Sequence, residues 1–201
     1  MKIITLRHIP DYEERKNLGR APIDGVTILL NRVPDYSERV ILSKMENLMG
    51  TKIFLDHVPD YLEGMELHNV HVPYSLAIYL EGAPSYEERK ALCRLLPRDL
   101  MIWFDHVPDY EERRSLRNTP LPFEMVVVLD RIPEHEERRG LQKLDCDFTL
   151  YIVLAHVPGY REREDLKKID CDYVIVSSEL EAKHEFFLRC NVSEFLSSPN
   201  P

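Results

Sequence analysis

The sequence predicts an α/β protein built from tandem strand–helix repeats, whose parallel strands form the sheet of a solenoid. Three observations lead to this prediction. A twelve-residue motif, written DHVPDYEERRSL at residues 105–116, recurs in seven versions along the chain. A short apolar run precedes each copy, and a segment rich in Glu, Arg, Lys and Leu follows its proline. The motif prolines are spaced by 24 or 25 residues and are Pro10, Pro34, Pro59, Pro84, Pro108, Pro133 and Pro158.

The apolar run before each proline predicts a β-strand. These runs are about four to six residues long and rich in β-branched and aromatic side chains, which strands favour. In chain order they read IITL, TILL, KIFL, AIYL, MIWF, VVVL and YIVL.

The segment after each proline predicts a short α-helix. Proline near the first turn, acidic residues close to that turn and basic residues later are helix-start signals. In the fifth repeat they predict a helix of about two to three turns over residues 109–118. We count positions from the motif proline, so that +8 is the eighth residue after it. Glu at +4 and Leu at +8 share one helix face. We expect the leucines to pack inward. We expect the glutamates to form a ladder of ion pairs with Arg at +5 of neighbouring helices, and Gly64 interrupts this ladder in the third repeat.

Strands joined by a helix run parallel, and one such repeat cannot bury its own apolar face. We therefore expect neighbouring repeats to stack into a single domain over residues 1–201. Residues 1–173 hold the seven repeats. Residues 174–201 lack the motif, which is typical of a capping unit.

Repeats of this length with one strand and one helix resemble the leucine-rich-repeat class of solenoids. The resemblance covers nearly the whole chain and implies an open horseshoe. The sequence departs from that family where an Asn or Cys should follow the strand, because Val58, Val107 and Ile132 stand there instead. The main alternative is a closed (β/α)8 barrel, since the strand of the last unit brings the predicted strands to eight. A further alternative is an open doubly wound sheet. Only about three residues separate each strand from its helix, which leaves a barrel little room for a catalytic site.

The strand positions predict two different faces. Positions −6 and −4 are aliphatic or aromatic in almost every repeat, as in Ile53 and Leu55, and should meet the helices. Positions −5 and −3 vary, and in a horseshoe they would lie on the concave surface. We expect an aromatic and acidic patch there to bind a partner. Its residues are Phe54, Tyr79, Trp103, Asp56, Glu81, Asp105 and Asp130.

The acids at −3 should stand about 5 Å apart on adjacent strands and repel each other. The basic residues that follow them, or a bound cation, would offset this repulsion. The sequence contains no metal-ligand spacing motif and no nucleophile or nucleotide motif, so we predict no metal, no cofactor and no catalytic residue. Cys146 and Cys171 occupy equivalent positions of neighbouring repeats; they could form a disulfide, but buried free thiols are the favoured interpretation.

The formal net charge of −9 argues against nucleic acid as a partner and fits a basic or amphipathic protein segment. No apolar run reaches the length of a membrane span, and residues 1–12 do not resemble a signal peptide, so a cytoplasmic location is expected. The predicted function is that of a protein–protein interaction module. The alternative is a small (β/α)8-barrel enzyme that uses the acids at its strand ends.

Overall fold

Strands and short helices alternate throughout the computed structural model, which describes residues 2–154, 156–169 and 172–175. The described strands are β1 (Ile3–Leu6), β2 (Gly25–Leu30), β3 (Leu48–Leu55), β4 (Tyr74–Glu81), β5 (Asp99–Phe104), β6 (Glu124–Leu129), β7 (Phe148–Leu154) and β8 (Asp172–Ile175). The described helices are α1 (Tyr12–Leu18), α2 (Tyr36–Ser43), α3 (Tyr61–His68), α4 (Tyr86–Leu95), α5 (Tyr110–Arg117), α6 (His135–Leu141) and α7 (Tyr160–Leu166). The predicted alternation of strand and helix is therefore confirmed.

The chain divides into two compact units. The first comprises Met1–Leu80 and Ser85–Leu100, and the second comprises Glu81–Pro84 and Met101–Pro201. In the first unit β1, β2, β3 and β4 pair in chain order, and in the second β5, β6, β7 and β8 do the same. Every strand pair described is parallel.

The sheet is open. Over the described residues β1 pairs with β2 alone and β8 pairs with β7 alone, so these strands keep an unpaired edge. A barrel would require every strand to have two neighbours. The closed (β/α)8 barrel is therefore wrong, and the fold is an α/β solenoid-like repeat. The capping unit predicted at residues 174–201 lies outside the described residues, except for the last two residues of β8.

A capping box starts the helices. In the fifth repeat the Asp109 carboxylate accepts a hydrogen bond from the Glu112 backbone N–H at 2.9 Å, and the Asp109 backbone N–H donates to Glu112 Oε2 at 2.8 Å. These reciprocal bonds satisfy backbone N–H groups that a helix start leaves unpaired. The same box forms at Asp11, Asp35, Asp60 and Ser85. The Asp or Ser and the Glu of the motif therefore fix where α1 to α5 begin, whereas the N-cap residues of α6 and α7, Glu134 and Gly159, make no side-chain cap bond.

The core lies between the helices and one face of the strands. In the first unit Val26, Ile28 and Leu30 of β2 cluster with Leu42 of α2, and all four side chains are buried. The leucine at +8 is buried in all repeats except the first, where Leu18 is half-buried. The predicted inward direction of the leucines is confirmed, because side chains at +8 pack onto strand positions −6 and −4.

Candidate functional site: the half-buried strand face

The strand face opposite the core carries half-buried side chains in the first unit. Along β3, Phe54 is half-buried while its neighbours Ile53 and Leu55 are 0 % and 1 % exposed. Along β4, Tyr79 is likewise half-buried beside the fully buried Ile78. The rings of Phe54 and Tyr79 stack with centroids 6.1 Å apart and planes inclined by 12°. The structure therefore brings these two predicted residues together as an aromatic pair.

The second unit repeats this arrangement with different residues. Trp103 of β5, Val128 of β6 and Val153 of β7 are half-buried. The register places Trp103 opposite Val126 and Val128 opposite Tyr151. Trp103 thus belongs to a half-buried apolar surface and not to the closed core, where Phe104 is 1 % exposed.

The predicted acids lie at the ends of the strands and are all exposed. Asp56 belongs to the first unit, and Glu81, Asp105 and Asp130 belong to the second. They rim the half-buried face where each strand meets its turn.

The expected spacing of about 5 Å between neighbouring acids is wrong. In the second unit Phe104 pairs with Val127, although the equivalent residue of the next repeat is Leu129. In the first unit Leu55 pairs with Ile78 and not with Leu80. Each of these strands is thus displaced by two residues from its neighbour, which adds about 6–7 Å along the strand between equivalent side chains. This offset weakens the repulsion that suggested a bound cation. The described residues contain no group of three or more His, Cys, Asp or Glu that could hold a metal ion.

Histidines bridge the acids to the helix starts. His57 Nδ1 lies 2.9 Å from Asp56 Oδ1, and His57 Nε2 lies 3.0 Å from Glu63 Oε2. His106 makes the same two contacts, at 2.8 Å to Asp105 and 3.0 Å to Glu112. The bond to Asp56, and after it the bond to Glu63, raises the pKa of His57 above its usual value. The bonds to Asp105 and Glu112 raise the pKa of His106 in the same way. A ring with a carboxylate at each nitrogen donates to both only when it is protonated.

The bridge from position −2 to Glu at +4 is a general feature of the repeat. Arg131 donates to both carboxylate oxygens of Glu137 at 2.6 Å, and Arg32 does the same with Glu38. His8 and His156 contact Glu14 and Glu162. The motif glutamate therefore joins the turn to the helix within one repeat.

The expected ladder of Glu–Arg pairs between neighbouring helices is wrong. The arginine at +5 donates to the carbonyl oxygen of its own motif proline, at 2.8 Å from Arg15 to Pro10 and 2.7 Å from Arg39 to Pro34. Arg113 and Arg138 make the same bond. The glutamates are already engaged by the backbone at the helix start and by His or Arg at −2, which is why the arginines turn to the carbonyl groups.

These contacts predict a pH dependence of stability. The pKa of His57 and His106 is raised in the folded chain, so their contribution is complete below the unfolded value of about 6.5 and is lost as the pH rises through the folded value. We expect the free energy of unfolding to fall between pH 6 and pH 8.5. In the double variant His57→Gln/His106→Gln the free energy of unfolding should fall less over this pH range. The difference from the wild type should be well under about 1 kcal/mol per histidine, because both rings are half-exposed.

Urea denaturation at the two pH values measures this difference. His135→Gln is the matched control, because His135 lies exposed at the start of α6. An equal fall in the wild type and in the double variant would contradict the assignment of charge to these two bridges.

Exposed tyrosines occupy helix starts in both units and are not among the site residues predicted from the sequence. Six repeats have Tyr at +2, the first residue of the helix, and these side chains are 62–76 % exposed. The sequence signal was available, because a capping box requires Asp and Glu but not an aromatic side chain between them. The exposed tyrosines are Tyr12, Tyr36, Tyr61, Tyr86, Tyr110 and Tyr160.

The cysteine pair is described only in part. Cys146 is a half-buried free thiol, and burial raises its pKa. Cys171 lies outside the described residues. None of the described helices has the length and apolar character needed to cross a membrane.

Comparison of the chain with protein-family models, curated proteins and solved structures finds no match. The architectural resemblance to the leucine-rich-repeat class therefore stays a prediction. The structure shows the α/β repeat and its two strand faces.

Proposed function

We propose that this protein is a protein–protein interaction module that binds its partner on the half-buried strand face. The observation that carries the proposal is the aromatic character of the strand face that lies opposite the described helices. In the first unit the surface is formed by Phe54, Tyr79 and Asp56. In the second unit it is formed by Trp103, Glu81, Asp105 and Asp130.

Differences between the repeats support a recognition role for this face. Stacking requires similar side chains at −6 and −4, and these positions remain aliphatic or aromatic throughout. At −5 the side chain changes from one repeat to the next without breaking the stack. Aromatic residues at the centre of a patch contribute a large share of binding energy. The −5 residues are Thr5, Leu29, Phe54, Tyr79, Trp103, Val128 and Val153.

The charges favour a basic or amphipathic protein segment as the partner. The acids rim the apolar surface, and the chain carries a formal net charge of −9. Acidic side chains around an apolar centre speed the encounter with a basic partner and favour it over other proteins. They would repel the phosphate backbone of a nucleic acid. A cytoplasmic location belongs to the same proposal and is supported by the free thiols of Cys93 and Cys146.

The test is selection of a random dodecapeptide library, displayed on phage, against the immobilised protein. We expect the enriched peptides to combine Lys or Arg with aliphatic or aromatic residues. Trp103 is the only tryptophan, so its fluorescence reports on the second unit directly. A bound peptide should reduce quenching of Trp103 by acrylamide, and Phe54→Ala should weaken peptides that bind the first unit.

The exposed tyrosines provide the competing surface. Tyr61→Ala and Tyr110→Ala remove one such side chain from each unit and leave the strand face intact. In the contradicting outcome, the selected peptides lose affinity in these tyrosine variants, yet bind Phe54→Ala as tightly as the wild type and give Trp103 no protection from quenching. That result would place the interaction at the helix starts and refute the strand-face proposal.

A further inference from the structure

The third repeat lacks the arginine that the other six carry at +5, because Gly64 takes its place. In four described repeats this arginine donates to the carbonyl oxygen of the motif proline. A glycine inside a helix costs stability and cannot make this bond. The third repeat therefore lacks the guanidinium group that would bond the Pro59 carbonyl oxygen.

The second unit shows where the guanidinium group normally lies. Arg113 donates to Pro108, and a Cβ atom added to Gly140 of α6 would lie 3.5 Å from Arg113 Nη1. The same atom would lie 3.1 Å from a methyl carbon of Val107. The guanidinium group of the fifth repeat thus fills a space bounded by Val107, Pro108 and Gly140, between one helix and the next.

The equivalent space in the first unit is a cavity. It has a volume of about 800 Å³, and its lining includes Val58, Pro59, Gly64 and Ala91. These residues correspond in sequence to Val107, Pro108, Arg113 and Gly140 of the second unit. A Cβ atom at Gly64 would meet Leu95 at 3.8 Å, an ordinary contact, so a methyl group fits there without displacing a neighbour. The cavity therefore opens where an arginine side chain is missing.

The walls of the cavity suit a planar cation. Tyr61, Tyr74 and Met65 supply aromatic and polarizable surfaces, against which a guanidinium group can stack. Glu88 lines the cavity, and Gly82 stands where other repeats have the His or Arg that bonds this glutamate.

The charged residues of the lining are of both signs. Lys90 is engaged with Glu87 at 3.2 Å and lies 4.2 Å from the centre of the Tyr86 ring. Asp and Glu side chains outnumber Lys and Arg side chains in the lining by one. The lining carries Asp60, Glu87 and Glu88 against Lys90 and Arg94, with His68 in addition.

We propose that this cavity binds an arginine side chain of a partner protein, which takes the position that Gly64 leaves open. The guanidinium group donates to the Pro59 carbonyl, as the chain's own arginines do in other repeats, and to the Glu88 carboxylate. Lysine is disfavoured because a single ammonium group cannot follow the planar fork that both acceptors require. The site lies on the helix side of the first unit and does not depend on the proposed role of the strand face.

The experiment is an NMR titration of the full chain with capped arginine (N-acetyl-arginine-N-methylamide), followed through backbone amide shifts. We expect saturable shifts at Gly64, Met65 and Ala91, which line the cavity. Capped lysine has the charge without the planar fork of donors, and capped citrulline has a planar group without the charge. Both should bind at least about tenfold more weakly than capped arginine.

Two variants separate filling of the cavity from a change in helix stability. Gly64→Arg restores the repeat's own arginine, so we expect a higher melting temperature and loss of the arginine-dependent shifts. Gly64→Ala improves helix propensity without filling the space, so arginine binding should be retained. Equal shifts with arginine and citrulline, absence of saturable shifts in the wild type, or shifts that persist in Gly64→Arg would each overturn the proposal. Tighter binding of free arginine than of capped arginine would refute a protein partner and indicate a site for the amino acid.

Discussion

Leu67→Ala is expected to lower the free energy of unfolding by about 2–5 kcal/mol, the range found when buried leucines are truncated. Leu67 occupies position +8 of α3 and is 1 % exposed. Its removal deletes apolar contacts with the strands and leaves a cavity that the stacked repeat cannot close, because the strands on the other side are fixed by their own hydrogen bonds. Urea denaturation monitored by circular dichroism measures the change.

The same helix contains the matched control. Leu62 is 68 % exposed, so Leu62→Ala removes the same atoms from a side chain that stays in water. We expect a change within about 0.5 kcal/mol, as for other surface substitutions. If the two variants were equally destabilised, the inward direction of position +8 would be wrong.

Trp103→Ala is expected to weaken binding of peptides selected on the second unit by about 30-fold or more, which corresponds to about 2 kcal/mol. Trp103 is half-buried in the strand face, so part of its indole ring remains available to a partner. Contact with a partner would bury the rest of a large aromatic surface at little cost in side-chain entropy. Isothermal titration calorimetry with a synthetic copy of the selected peptide measures the loss.

Tyr110→Ala is the matched control for this variant, because Tyr110 belongs to the same unit, is 69 % exposed and lies at the start of α5. Its affinity should stay within about twofold of the wild type. The melting temperature of Trp103→Ala must be recorded alongside, since Trp103 also packs within its sheet. Unchanged affinity in a folded Trp103→Ala variant would remove this residue from the binding surface.

Much of the fold could be predicted from local patterns in the sequence. The alternation around Ile53 and Leu55 predicts a strand with one buried face, because successive side chains of a strand point to opposite sides. The Asp and Glu of the motif predict a helix start through bonds within a few residues of each other. The helix predicted over residues 109–118 is observed as Tyr110–Arg117, with Asp109 and Asn118 as its caps. Each of these features depends on neighbours in the chain, which a single sequence displays.

The contacts that define the candidate sites depend on how the chain folds in three dimensions, both within a repeat and between neighbouring repeats. Periodicity shows which residues of β5 and β6 share a face, but not that Phe104 pairs with Val127; hydrogen bonding between the strands and packing of the intervening helix set that offset. The motif shows that Glu and Arg recur, but not that Arg113 turns to the Pro108 carbonyl while Glu112 bonds His106. It shows that Gly64 replaces an arginine, but not that the replacement leaves a cavity. The sequence by itself thus determined the repeat, its strand and helix faces and its caps, because these follow from short-range geometry. Tertiary structure alone decided the strand register and the open space at Gly64, because these depend on which side chains meet across neighbouring repeats. It also decided the ion-pair partners, because these depend on how each turn folds back onto its own helix.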